Sequence, residues 1–291
     1  MLRERLRTAR EKLQSVAIPT SDAEYIAAFI LGVERMQLHA REYELNSEQE
    51  SEFEDLLEQR LNGAPLQYLT GIAPFRYLDF EVGFGVLIPR PETELLVDAA
   101  LVEIERIQAT PTWNHQPTSI VDLGSGSGAI AISIAHEARQ RQLPVQIVAV
   151  ESEIPAITWL TRNIAKHQVD VRVIEGRVED ALLDVKCDLV VANPPYIPSN
   201  LKIGSDLPIE LGFEPSSALF GGEAGLDIPY LFINAAARIL KGRGLLLLEH
   251  HESQVASLSA ELAAEFTELK SLQDLNQRPR WISARKRESR N

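Results

Sequence analysis

The chain contains one cysteine, Cys187, so no internal disulfide can form, and no Cys/His cluster with metal-ligand spacing accompanies it. Placed at the start of an apolar strand pattern, that thiol reads as a small packed side chain. No stretch reaches the roughly twenty apolar residues of a membrane-spanning helix. The N-terminus also lacks the apolar core of a secretory signal. Arg3, Arg5, Arg7 and Arg10 raise the question of an organellar address, but Glu4 and Glu11 lie among them, and a solvated helix face fits that mixture. Excess basic charge is missing as well. The net charge is −13, which opposes a polyanionic partner, because nucleic-acid binders gain affinity by neutralising phosphates. These absences lead us to expect a cytoplasmic protein with no metal and no direct nucleic-acid partner, a monomer by default.

What is present describes an ordinary folded chain of 291 residues, 45% apolar and 24% charged, long enough for one large domain or a standard domain with a smaller one. Leu2, Leu6, Leu13 and Val16 recur at helical spacing before Pro19. Ser21 with Glu24, and Ser47 with Glu50, have the spacing of capping boxes ahead of apolar runs that end at Gly32 and Gly63. Three or four helices and no strand predict a small N-terminal bundle. From Leu66 the pattern changes, and Phe75 to Val82 alternates at the strand period, which fits a hairpin linker. Pro91 can then open a helix whose positive end suits Glu92 and Glu94. After Pro117 strand and helix patterns alternate: strands at 120–123, 145–150, 171–174, 189–192 and 245–248, with helices between them, one ending near Gly242. This predicts an α/β domain with a mainly parallel sheet and helices on both faces. Arg280-Trp281-Ile282 reads as a last strand, with a frayed tail from Arg285.

Two stretches carry chemistry. Gly124-Ser125-Gly126-Ser127-Gly128 joins the first strand of the α/β part to its first helix, directly after Asp122-Leu123. Glycines there allow close backbone approach to a ligand. The spacing is not the full dinucleotide fingerprint, and Asp122 suits an ammonium or amino-acid head group better than a pyrophosphate. Glu151, after the second strand, can accept from both hydroxyls of a ribose. Asn193-Pro194-Pro195-Tyr196 follows the fourth strand, where open parallel sheets bind ligands. The Asn193 oxygen and a carbonyl from the Pro194 region can accept both hydrogens of an NH2 group. Pro194 and Pro195 stiffen the loop, and Tyr196 can cover the flat face of the bound group.

Asp122 to Gly128 together with Asn193-Pro194-Pro195-Tyr196 resembles S-adenosylmethionine-dependent methyltransferases acting on planar nitrogen. Ile88-Pro89-Arg90-Pro91-Glu92-Thr93-Glu94, Pro65 to Gly71 and the helical N-terminus narrow that resemblance to the peptide chain release factor glutamine N5-methyltransferases. Glu214-Pro215, Gly221-Gly222, Gly225-Leu226-Asp227 and Glu249 continue it over nearly the whole chain. The resemblance implies a Rossmann-like methyltransferase domain at 91–291, a β-hairpin linker at 65–90 and a helical substrate-recognition domain at 1–64. It implies S-adenosyl-L-methionine as cofactor, and as substrate the glutamine of the Gly-Gly-Gln loop of class I release factors. Asp122, Gly124, Ser125, Gly126, Ser127, Gly128, Glu151, Val178 and Asn193 would hold the cofactor, and Asn193, Pro194, Pro195 and Tyr196 the reacting amide. The chain departs from the family pattern at Glu151, usually Asp; at Arg177 and Val178, commonly acidic and aromatic; and at His250-His251, usually apolar and glycine. A different protein glutamine, an adenine amino group, or a non-catalytic binding role on the same fold stay open at this point.

Overall fold

The computed structural model describes residues 2–111 and 113–288. Their contacts divide into two units. One runs to Ile72 and takes in Ile203–Phe213, and the other holds Ala73–Lys202 and the described residues from Glu214 onward. The boundary falls inside the 65–90 stretch read as a linker, and nothing in the sequence pattern announces the return of Ile203–Phe213 to the first unit.

The first unit is helical. Leu2, Leu6, Ala9 and Leu13 put one apolar stripe of α1 (Leu2–Ser15) into the core, while Val16, just past its end, is exposed. α2 (Asp22–Leu31) buries Ala23, Ile26 and Ala27 and stops at Gly32, whose φ of 64° is left-handed; Phe29 stays half exposed. The capping box expected at Ser21 and Glu24 does not form. Ser21 is itself helical, with φ −61° and ψ −22°, and Glu24 turns to Arg10, Arg35 and His39. The second box forms one residue early. Asn46 is extended, its side chain accepts from the Gln49 N–H at 2.9 Å, and Gln49 accepts from the Asn46 N–H at 3.1 Å, so Asn46 and Gln49 cap α3 (Ser47–Leu61). A one-turn helix α4 (Leu66–Thr70) stands where the pattern suggested the start of the hairpin. Buried Arg60 ties the unit together. It donates to Asp22 Oδ2 at 2.9 Å, to the Ala64 carbonyl at 3.1 Å and to Glu210 Oε1 at 3.3 Å, and Glu210 belongs to the returning segment.

β1 (Ile72–Phe75) and β2 (Leu78–Glu81) make a two-stranded sheet. Pro91 then opens a short turn that runs into α5 (Glu94–Gln108). The rest of the second unit alternates: β3 (Thr118–Leu123), α6 (Ala129–Gln140), β4 (Val145–Glu151), α7 (Ile154–His167), β5 (Val171–Glu175), β6 (Cys187–Ala192), α8 (Asp227–Ile239), β7 (Leu240–Glu249), α9 (Val255–Leu262), β8 (Phe266–Gln273) and β9 (Pro279–Lys286). They form a seven-stranded sheet in the order β5-β4-β3-β6-β7-β9-β8, parallel except where β9 meets β7 and β8. β3 and β6 lie side by side in its middle, with Leu123 opposite Ala192, and their near-continuous apolar runs are buried as central strands require. Helices α5 to α9 pack against the sheet. Cys187 is buried at the start of β6.

Two boundaries differ from expectation. α8 ends at Ile239, before Gly242, because β7 already takes up Lys241 to Gly244. Arg285 does not fray. It belongs to β9 and donates to both oxygens of buried Glu103, at 2.9 and 2.8 Å. The tail reading for 289–291 lies outside the described residues. Among the described residues no helix is long and apolar enough to cross a membrane.

Candidate active site

The sheet's order changes direction between β3 and β6, and the loops leaving their carboxyl ends therefore face a common crevice. The first is the glycine loop. Gly124, Gly126 and Gly128 have φ of 67°, 55° and 85°, and the N–H groups of Gly124 and Ser125 donate to the Val150 carbonyl, fastening the loop to β4. Glu151 completes the fastening. Its Oε2 accepts from the Gly126 N–H at 2.8 Å, and its Oε1 from Ser152 and Glu153 at 2.7 and 3.0 Å. Asn163, wholly buried on α7, donates to the carbonyls of Ser127 and Glu81 and so joins the loop to β2.

These loops border a cavity of about 510 Å³, lined among others by Gly124, Ser125, Gly126, Ser127, Glu151, Val178, Asn193 and Pro195. Asp122, Gly128, Pro194 and Tyr196 do not line it. Asp122 is buried at the end of β3, with Oδ2 accepting from the Ala131 N–H at 3.2 Å and Oδ1 unpartnered. Burial pushes its acid up to about 7. Arg177 is exposed and paired with Glu179 at 2.7 Å, and that guanidinium holds the Glu179 acid below its ordinary range. Val178 between them is buried.

The second loop begins at Asn193. Its Nδ2 donates to Thr93 Oγ1 at 3.1 Å, Thr93 donates to Glu249 Oε2 at 2.7 Å, and the Tyr196 hydroxyl donates to Glu249 Oε1 at 3.1 Å. Thr93 and Glu249 are buried, and burial pushes the Glu249 acid up to about 7 and the Tyr196 phenol above its ordinary value. The face cover expected of Tyr196 thus has no counterpart in the cavity lining; its hydroxyl anchors the loop. Gln254 Nε2 donates to the carbonyls of Tyr196 and Gly225, each at 2.9 Å. A Cβ on Gly225 would lie 2.2 Å from the Tyr196 carbonyl oxygen, and one on Gly221 would lie 2.4 Å from that of Pro195. These glycines let the backbone close around the loop. Glu214 holds the segment before Thr93, accepting from the Ile88 N–H at 3.0 Å and from Arg90 at 2.6 Å. His250 is buried, and His251 caps a short turn by accepting from the Ser253 N–H.

Sequence reasoning assigned no role to Thr93, Asn163 or Gln254. Thr93 stood inside the Ile88 to Glu94 motif, which was the one available signal for it. Asn163 carries none, since its partners are remote along the chain, and Gln254 reaches the Tyr196 and Gly225 carbonyls with an amide whose oxygen also accepts locally from the His251 N–H.

Two family models match the chain, the PrmC N-terminal domain over residues 4–71 and the methyltransferase small domain over residues 104–206. A Streptomyces coelicolor protein named release factor glutamine methyltransferase is 35% identical over 96% of this chain and 95% of its own length. A Mycolicibacterium smegmatis protein of the same name is 36% identical over 96% and 97%. In fold, the chain is similar to the catalytic domain of hMettl16, solved with an RNA hairpin. The TM-score is 0.53 at 14% identity, covering 81% of this chain and 83% of that one. A putative class I S-adenosylmethionine-dependent methyltransferase from Listeria monocytogenes gives a TM-score of 0.50 at 13% identity, with 100% and 88% covered. With relatives above 30% identity over almost their whole length, the chain belongs to the release factor glutamine methyltransferase family.

Proposed function

We propose that the protein methylates the side-chain amide nitrogen of the glutamine in the Gly-Gly-Gln motif of class I peptide chain release factors, with S-adenosyl-L-methionine as methyl donor. The observation that carries this reading is the meeting of the glycine loop and Asn193 at one cavity, between adjacent central strands. The names of the relatives supply the substrate. The helical segment 1–64 is assigned to release factor recognition, the 91–291 domain to transfer and 65–90 to joining them. Action on a translation factor implies a cytoplasmic setting.

The residues present suit the cofactor. The cavity has the size of a small-molecule site. Gly126 has nothing within 4 Å of where a Cβ would sit, which leaves room for a ligand against the backbone. Glu151 Oε2 takes one protein bond and keeps acceptor capacity for a ribose hydroxyl. Val178 offers an apolar wall for an adenine edge. When bound, the cofactor supplies an electrophilic methyl on a sulfonium. Asn193 Oδ1 and a carbonyl of the Pro194 region would accept both amide hydrogens and so fix the orientation of the nitrogen in the cavity. The amide lone pair is delocalised, so those acceptors act chiefly by stabilising the positive charge that develops on nitrogen. No strong base is required before transfer, because the alkylated nitrogen is acidic.

The test is mass spectrometry of a recombinant class I release factor incubated with the protein and S-adenosylmethionine. The expected result is a gain of one methyl, about 14 Da, on the Gly-Gly-Gln glutamine. Asn193→Ala should retain cofactor binding in calorimetry and lose turnover by at least about a hundredfold, the scale of one lost transition-state partner. Normal turnover in that variant would remove Asn193 from the site.

A further inference from the structure

The Asn193 amide can serve an incoming NH2 group in only one of its two orientations. Rotated by a half-turn about its last bond, it would present its own NH2 to the substrate's, donor against donor. What selects the orientation is a short chain of buried side chains: Thr93, which lines the cavity beside Asn193, and Glu249, which does not line it. We propose that Thr93 and Glu249 are positioning residues that set the polarity of Asn193, so that its Oδ1 and not its Nδ2 faces the reacting amide. The proposal rests on the reading of Asn193 given above and deepens it.

Three hydrogen bonds carry the polarity to Asn193. An ionised carboxylate accepts only, so Glu249 obliges both hydroxyls that reach it, those of Thr93 at 2.7 Å and Tyr196 at 3.1 Å, to direct their protons inward. Thr93 has one proton. Once it points at Glu249, the oxygen can offer Asn193 only a lone pair, and the Asn193 group that meets it at 3.1 Å must be the NH2. The acceptor end is then left for the substrate. A hydroxyl free to rotate would not discriminate, since Thr93 could donate to a flipped Asn193 equally well. Direction is therefore imposed on Asn193 from Glu249, through Thr93. Thr93 is held for this task by its place in the turn that opens α5, where its N–H donates to the Arg90 carbonyl. The same carboxylate anchors Tyr196, so one buried charge orients the first and last residues of the Asn193 to Tyr196 loop.

The experiment compares Thr93→Val, which keeps the shape and removes the hydroxyl, with Thr93→Ser, which restores it. Methyl transfer to a recombinant release factor is followed under saturating S-adenosylmethionine, and cofactor affinity is measured separately by calorimetry. Thr93→Val should lower kcat by about a hundredfold, as expected when a reacting group loses its orientation, with cofactor Kd unchanged. Thr93→Ser should return most of that loss. A loss confined to Kd, or one shared equally by both variants, would assign Thr93 a packing role and overturn the proposal. Full activity in Thr93→Val beside an inactive Asn193→Ala would overturn it too, while leaving Asn193 in place. Full activity in Asn193→Ala would remove the reading on which the polarity argument stands.

Discussion

Glu249 is pulled in two directions. Burial and nearby Glu92 favour its protonated form, while the hydroxyls of Thr93 and Tyr196 and the charge of Arg280 favour its ionised one; burial dominates and its acid rises to about 7. The ionised form is the one that orients Thr93. Turnover should therefore rise with pH through about 7 and fall as Glu249 takes up its proton below that. Glu249→Gln, which like the protonated acid accepts at one atom and donates at the other, should stay near the wild type's low-pH rate throughout and lose that step from the kcat profile. Asp122 is also raised to about 7, so only the portion of the profile that Glu249→Gln abolishes belongs to Glu249. An unaltered profile in the variant would show that its charge is immaterial. At this scale the sequence was legible where a side chain's work is done by neighbours in the chain. Asn193 and Glu151 could be read because each follows a strand whose pattern is visible. The link from Thr93 to Glu249 could not, because it joins residues 156 positions apart and depends on which hydroxyl proton points where.

Elements were legible in proportion to how regular their burial is. β3 and β6 could be read as apolar runs because both their faces are covered, whereas β8 escaped notice, being half polar at the sheet edge. The capping boxes show a different limit. Ser47-Glu50 and Asn46-Gln49 offer the same chemistry one residue apart, and the extended backbone at Asn46 decides between them. Gly225 is the clearest element-scale test. A methyl group there would meet the Tyr196 carbonyl at 2.2 Å, and the φ of 70° adds strain for any L side chain. Gly225→Ala should displace the loop and reduce kcat by about a hundredfold, the cost of misplacing a reacting group by about 1 Å. Cofactor affinity, measured in parallel, should change little, since the glycine loop is fastened by Glu151 and Asn163 instead. Equal losses in both would mean that the two loops are not held independently.

At the scale of the molecule, the helical unit depends on one buried cation. Replacing Arg60 by Met would leave Asp22 buried without its partner and release Glu210, at a cost of about 3–5 kcal/mol. All three tryptophans, Trp113, Trp159 and Trp281, lie in the other unit. Urea unfolding followed by circular dichroism should therefore show an early transition in Arg60→Met, while tryptophan fluorescence reports a midpoint close to wild type. Coincident shifts in both signals would mean that the units unfold as one. The existence of a helical unit and an α/β unit was legible from the change in hydrophobic period near Leu66. The contribution of Ile203–Phe213 to the helical unit was not, because eleven residues that end in a short 3-10 turn carry no period to read.

That return has a practical consequence for anyone treating the protein as modular. A transferase fragment cut at residue 73 would still carry residues 203–213, which group with the removed unit, and a helical fragment ending at residue 72 would lack Glu210 for Arg60. A chimera that exchanges the N-terminal helices between relatives must exchange 203–213 with them, and these two stretches are expected to change together as the sequences of the family diverge.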